Sequence, residues 1–258
     1  MISRLSAITL NTFREAVRDR VLYNLIIFAL LLVASAPLFS QISIAIERLV
    51  LVNLGLSSIS LFGVIIAVFI GIGLVSKEIE KKTLYTILSR PVRRWEFVVG
   101  KYIGLMVTLV VNAALMTLGF YIALLLTERK LTGGDSRLLV AIYFIILEFL
   151  IVTAITLLFS SFSTPIFSAI FAFAVFVIGT FGEDLRNFAA VAQGPTKWVT
   201  TGAAYLLPNF SALNVISQVA HDQPISGSLI LFNTVYALLY SAAVIAAAVL
   251  IFEHRNLK

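Results

Sequence analysis

Few side chains in this sequence can do chemistry, and one sits where it is expensive. Glu148 lies within Ile145-Ile146-Leu147-Glu148-Phe149, near the middle of an apolar run, whereas the other twelve carboxylates fall in loops or at the ends of such runs. An ionised carboxylate at the centre of a membrane helix costs on the order of 3 kcal/mol, while the Leu, Ile, Val and Phe residues of 138–159 together supply roughly −7 kcal/mol on the same scale. The run can therefore insert with the acid in it. There Glu148 either lines a substrate route or titrates, or it is a hydrogen-bonded packing residue between helices.

The remaining chemistry is mostly excluded. With no cysteine there is no disulfide framework, thiolate metal site or cysteine nucleophile. Two histidines, His221 and His254, cannot build a metal cluster by themselves. Gly100-Lys101 suggests a phosphate loop, but Trp95 stands at the leading glycine and Tyr102 follows where Ser or Thr is required. No catalytic, cofactor-binding or metal-binding residue is assigned. Asn209-Phe210-Ser211 matches a glycosylation sequon, a pattern too common by chance to carry weight.

The elements that position Glu148 follow from composition. The chain of 258 residues is 60% hydrophobic and 12% charged, against about 45–50% and about 25% in soluble domains, and its mean hydropathy is +1.03. The fold class is an all-α polytopic membrane protein, forming a single domain over 1–258. A span needs roughly 20 apolar residues, and six runs qualify: 21–39, 54–75, 98–126, 138–159, 166–182 and 228–252. Ala34-Ser35-Ala36 imitates a signal-peptidase site, but Glu15, Asp19 and Pro37 favour a retained span. Thirteen of the nineteen Lys and Arg residues precede the first span, follow the second or end the chain. That bias places both termini in the cytoplasm of a bacterial or archaeal inner membrane. It also accounts for the net charge of +6 without nucleic acid.

Residues 1–20 carry Ile2, Leu5, Ile8, Phe13, Ala16 and Val17 along one stripe, as an amphipathic helix in the cytoplasmic interface would, the alternative being a first span that begins early as a cytoplasmic extension. The external segment 183–227 is interrupted by Gly194-Pro195, Pro208-Asn209 and Gln223-Pro224. Within it, 205–219 reads as helix re-entering the outer leaflet or lying on it before the last span. Should it span instead, the count becomes seven. Small residues at Gly63, Ala67, Gly71, Gly100 and Gly104 suit close helix packing within the chain or, less economically, a dimer seam.

The longest cytoplasmic stretch, 76–101, reads SKEIEKKTLYTILSRPVRRWEFVVGK. Ile79, Leu84, Ile87 and Leu88 alternate with Glu78, Glu80, Lys81 and Lys82 as in a short helix that Pro91 ends. Arg93-Arg94-Trp95 then marks the interface where the third span starts. Such a hairpin suits either a protein partner or anionic headgroups.

This stretch resembles the loop of ABC-2 type transporter permease subunits, close to E-x-x-x-G-T-L-x-x-L-L-S-x-P followed by a basic residue and G-K. Glu78, Thr83, Leu84, Ile87, Leu88, Ser89, Pro91, Arg94, Gly100 and Lys101 match it, while Lys82 stands at the usual glycine. Tyr205-Leu206-Leu207-Pro208-Asn209-Phe210 before the last span is similar too. The resemblance implies a permease that pairs with a second copy of itself or a related permease, above two copies of a separate ATP-binding cassette ATPase that hold ATP and Mg. Segment 76–97 would be the coupling helix, with Glu78, Ile79, Glu80, Thr83, Leu84, Ile87, Leu88, Pro91 and Arg94 facing the ATPase. Export past Glu148 is one implied activity, and force transmission to a periplasmic accessory protein is the other. Pro208, Asn209 and Phe210 form a candidate external gate. Within the superfamily the sequence is similar to the branch associated with multi-copper enzyme maturation, although no cysteine, three methionines and no His cluster suit copper poorly. An ion-coupled secondary transporter would rest on Glu148 alone, and an intramembrane enzyme would need paired catalytic groups that are absent from the spans.

The charge distribution makes a topological prediction. A single cysteine introduced at Lys81, in a chain with none of its own, should react with an impermeant maleimide only after the cytoplasmic face is opened; labelling of intact cells would invert the topology.

Overall fold

The computed structural model describes residues 2–42, 47–80, 93–128 and 135–254, and all regular structure among them is helical. In chain order the helices are α1 (Ile2–Val17), α2 (Arg20–Ile42), α3 (Glu47–Glu80), α4 (Arg94–Glu128), α5 (Ser136–Phe162), α6 (Pro165–Thr180), α7 (Gly182–Val191), α8 (Pro195–Leu206), α9 (Ile216–Ala220) and α10 (Gly227–His254). Helices α3, α4, α5 and α10 are long and apolar enough to cross a bilayer, and α6 with α7 adds a fifth crossing if that pair, bent by 63°, counts as one. The run 21–39 lies within α2. In hydrocarbon every backbone polar group needs an internal partner, which helices supply. Three hydroxyls inside the spans find partners in the same way: Ser58, Thr108 and Thr156 donate to the carbonyls of Leu54, Gly104 and Val152, at 2.5, 2.9 and 2.8 Å.

Helices α3 and α5 form the enclosed centre, while α4 and α10 turn broad apolar faces outward. The inward stripe of α10 is Ala237, Ser241, Ile245, Ala248 and Phe252, mostly small residues at helical spacing that admit α5 closely. Glycines decide where the central helices meet. A Cβ on Gly63 would stand 1.8 Å from the Phe149 ring, and one on Gly71 2.9 Å from the Thr156 methyl. On α4, Gly100 and Gly104 play the same part toward Ile8 and Thr12 of α1. These small-residue positions therefore serve seams within the chain.

α1 is amphipathic as its sequence pattern requires, and part of its inner face meets protein, with Thr12 and Ala16 fully buried. Beside it, Lys101 is 2% exposed, 3.3 Å from Glu15 and 5.7 Å from the centroid of the Phe97 ring. Arg94 donates to the last carbonyls of α10, Phe252 at 3.1 Å and Glu253 at 2.7 Å, where a cation meets the negative end of the helix dipole. Glu96 returns to the Arg93 N–H at 3.0 Å, the reciprocal half of a capping box. At the opposite ends of the spans Arg48 pairs with Asp135 at 2.7 Å, and Tyr121 donates to the Asp135 carbonyl at 2.8 Å.

Two expected helices end early. The fifth run, 166–182, stops being one helix at Thr180 and turns at Phe181 into α7. The stretch 205–219 is divided into the end of α8, an irregular turn, a 3-10 turn at Ser211–Leu213 and α9. Pro208 is the reason: it lacks an N–H and drives Leu207 to extended backbone, φ −81° and ψ 145°. Asn214 then accepts the Ile216 N–H at 3.2 Å and starts α9 afresh.

Gly63→Ala should force α3 from α5 and lower stability by about 1–3 kcal/mol, read as a lower melting temperature of the detergent-solubilised protein. Gly202, with nothing within 4 Å of an added Cβ, should accept alanine without loss.

Candidate functional site

The close approach at Gly63 sets the neighbouring side chains one turn away. Ser60 on α3 donates to Glu148 on α5 at 2.8 Å, so the acid is held between the two central helices rather than facing lipid. Glu148 lies twelve residues into α5, about 18 Å from its start at the rise of a helix. Helix α6 enters from the other side and its sixteen residues extend about 24 Å. Its break therefore falls near the depth of the acid.

At that level the chain encloses a cleft of about 220 Å³ lined by Glu148, Thr180, Phe210, Ser211, Asn214 and Ser217. Its polar groups are hydroxyls, an amide and one carboxyl, with no cation among the lining residues. Such a surface can hydrogen-bond a polar solute or water in an otherwise apolar bundle, and Glu148 is the one acid among its described lining residues.

Irregular backbone at this depth needs partners, and each comes from a defined element. The Phe210 N–H donates to Gly179 O at 2.9 Å, at the end of α6. The Asn209 N–H donates to the Tyr236 hydroxyl at 2.9 Å, and Asn233 donates to Ala212 O at 3.1 Å, both from α10. Ser211 accepts the Glu183 N–H at 3.0 Å and donates to Asn209 Oδ1 at 2.5 Å, tying the turn to α7. A side chain on Gly179 would strike Phe210 and the Pro208 carbonyl, both at 2.6 Å; one on Gly182 would strike Asn209 Oδ1 at 2.5 Å. The segment is wedged into the α6–α7 break.

The structure thus brings together two sets of residues that the sequence offered separately, Glu148 and the Pro208-Asn209-Phe210 turn. All three turn residues are buried, and Phe210 shares the cleft with Glu148. Of the coupling residues, Glu78, Ile79 and Glu80 belong to the last turn of α3, while Thr83, Leu84, Ile87, Leu88 and Pro91 lie outside the described residues. Arg94 opens α4 and binds the end of α10. Sequence reasoning missed Ser60, Thr180, Ser211, Asn214 and Ser217. Ser57-Ser58-x-Ser60 in an apolar run was the available signal, but nothing in spacing links Ser60 to an acid eighty-eight positions away. Among the described residues no three acidic or histidine side chains form a group able to hold a metal ion.

A family model described as ABC-2 family transporter protein matches residues 6–257, so the chain belongs to that family, a permease component of an ABC transporter and a multi-pass membrane protein. The match is to the family as a whole and does not single out the multi-copper branch. No curated protein matches the chain.

The Ser60–Glu148 contact can be separated from simple packing. Ser60→Ala leaves a buried carboxyl without its donor and should cost about 1–3 kcal/mol, whereas Ser60→Ala combined with Glu148→Leu removes both partners and should recover most of that loss. Thermal denaturation of the four proteins in one detergent closes the cycle.

Proposed function

We propose that this member of the ABC-2 family is the transmembrane subunit of an exporter, energised by a separate ATP-binding cassette ATPase that docks in two copies and holds the ATP and magnesium. The chain pairs with a second copy of itself or a related permease in the cytoplasmic membrane. It crosses six times, along 21–39, 54–75, 98–126, 138–159, 166–182 and 228–252, with both termini inside. The observation that carries the reading is the polar cleft at Glu148, placed where α6 breaks and lined in part by Phe210. A polar lining at span depth beside a wedged, hydrogen-bonded turn is what a gated route through hydrocarbon requires.

The force path supports it. Helix α3 continues to Glu80, beyond the apolar stretch that ends at Gly73, so a push on 76–97 reaches Ser60 along one helix. Helix α4 leaves the same segment and is joined to α1 through Lys101–Glu15 and to α10 through Arg94. Movement of this cytoplasmic cluster shifts α3 against α5, which bears Glu148, and α10 against the turn that Tyr236 and Asn233 hold. In this mechanism Pro208, Asn209 and Phe210 are the external gate.

Leu84→Asp places a charge in the apolar contact with the ATPase and should weaken assembly by about 2–5 kcal/mol while insertion is unchanged; retained co-purification at wild-type stoichiometry would remove the coupling role. Glu148→Gln should insert normally and change transport-linked ATP hydrolysis. Wild-type turnover in that variant, with the ATPase still bound, would favour force transmission to a periplasmic partner without passage.

A further inference from the structure

The α7–α8 hairpin stands apart from the Glu148 cleft and has its own composition. Gly194 makes the turn between its helices at φ 64°, a left-handed conformation that glycine adopts without strain, and Pro195 starts α8. The hairpin exposes Phe188, Val191, Trp198, Val199, Tyr205 and Leu206, with Trp198 82% and Tyr205 83% exposed. Large aromatic and aliphatic side chains laid open on a short amphipathic hairpin belong at the boundary of headgroups and acyl chains.

Between its helices is a cleft of about 410 Å³ whose charged lining is Arg186 and Lys197, joined by Thr201 and Tyr205. Glu183 and Asp184 open α7, but neither lines this cleft. Among the described residues neither Arg186 nor Lys197 is within ion-pair distance of an acid. Below it, a second cleft of about 490 Å³ runs between α6 and α10 over α5, walled by apolar residues from Phe159 and Val175 to Ala243 and Ala247. Tyr205 lines both clefts. Tyr240 follows in the lower one, where its hydroxyl donates to Leu206 O at 2.9 Å and so leaves an apolar wall.

We propose that these two clefts form one binding site for an anionic phospholipid of the adjacent leaflet, its phosphate between Arg186 and Lys197 and an acyl chain in the groove between α6 and α10. Two cations with no acid in ion-pair distance among the described residues call for an anion, and an apolar groove continuous with them calls for a hydrocarbon tail; a phospholipid carries both on one molecule. The inference rests on the membrane placement of the chain and not on the ATPase or the Glu148 route.

Native mass spectrometry of the full-length protein in mild detergent, offered phosphatidylglycerol and phosphatidylcholine in equal amounts, tests it. Wild type should retain phosphatidylglycerol about thirtyfold more, the ratio that two basic side chains at about 1 kcal/mol each give for an anionic headgroup. Arg186→Gln with Lys197→Gln should reduce that preference to near one, and Arg186→Lys should keep it. Ala243→Trp, which fills the groove, should release both lipids. Equal retention by wild type, an unchanged preference in the double variant, undiminished lipid with Ala243→Trp, or displacement of the lipid by millimolar inorganic phosphate alone would overturn the proposal. If the double variant melts earlier than wild type, Lys197→Gln alone is the deciding comparison, with the same two readings.

Discussion

The contact of α3 with α5 at Gly63 and Phe149 is the constraint on which the interior depends. Membrane helices gain nothing by hiding apolar surface from one another, so close van der Waals approach and interhelical hydrogen bonds must hold them together. Gly63 provides the approach, since the Phe149 ring occupies the space a side chain would take. The same approach brings Ser60 to Glu148 and gives a costly carboxyl its partner. A larger residue at Gly63 would therefore disturb packing and electrostatics together.

Around that centre the polar groups are sorted by height. One end carries Lys101–Glu15, the Glu96 cap and Arg94 on the last carbonyls of α10; the other carries Arg48–Asp135. Between them lie the Glu148 cleft and the turn wedged into the α6–α7 break. The break is tolerated because α10 and α7 supply donors and acceptors for the turn, the condition under which non-helical backbone survives at depth. Helix α10 thus binds Arg94 at its C-terminal end and the Pro208–Ala212 turn in its first half, which links the Arg94 cluster to that turn.

That arrangement suits a subunit that receives work from elsewhere. Glu148 has no ion-pair partner among the described residues, and an ion-coupled mechanism would have to rest on that one acid. Family membership and a long helix that runs on past its apolar stretch to Glu80 are the observations on which the proposed coupling to a separate ATPase rests.

Composition alone decided that the chain is helical and crosses the membrane repeatedly, because 60% apolar residues in long runs leave no other way to satisfy the backbone. It also singled out Glu148, since the cost of burying a carboxyl in hydrocarbon depends on position in the run and needs no fold to recognise. The residues around 78–101 carried the family in their order, which is a property of sequence. Tertiary structure decided the rest. Pro208 announced a break, but where that break docks depends on Gly179, Gly182, Tyr236 and Asn233, contributed by other helices. Small residues announced close packing, but only the fold assigned Gly100 and Gly104 to α1 and Gly63 to Phe149. Ser60 and Glu148 lie eighty-eight residues apart, and Arg94 lies more than one hundred and fifty from the carbonyls it binds. Helical periodicity reports which face of one element is apolar; it carries no information on which distant face will meet it, because that choice is made by the shapes of all the helices packing at once.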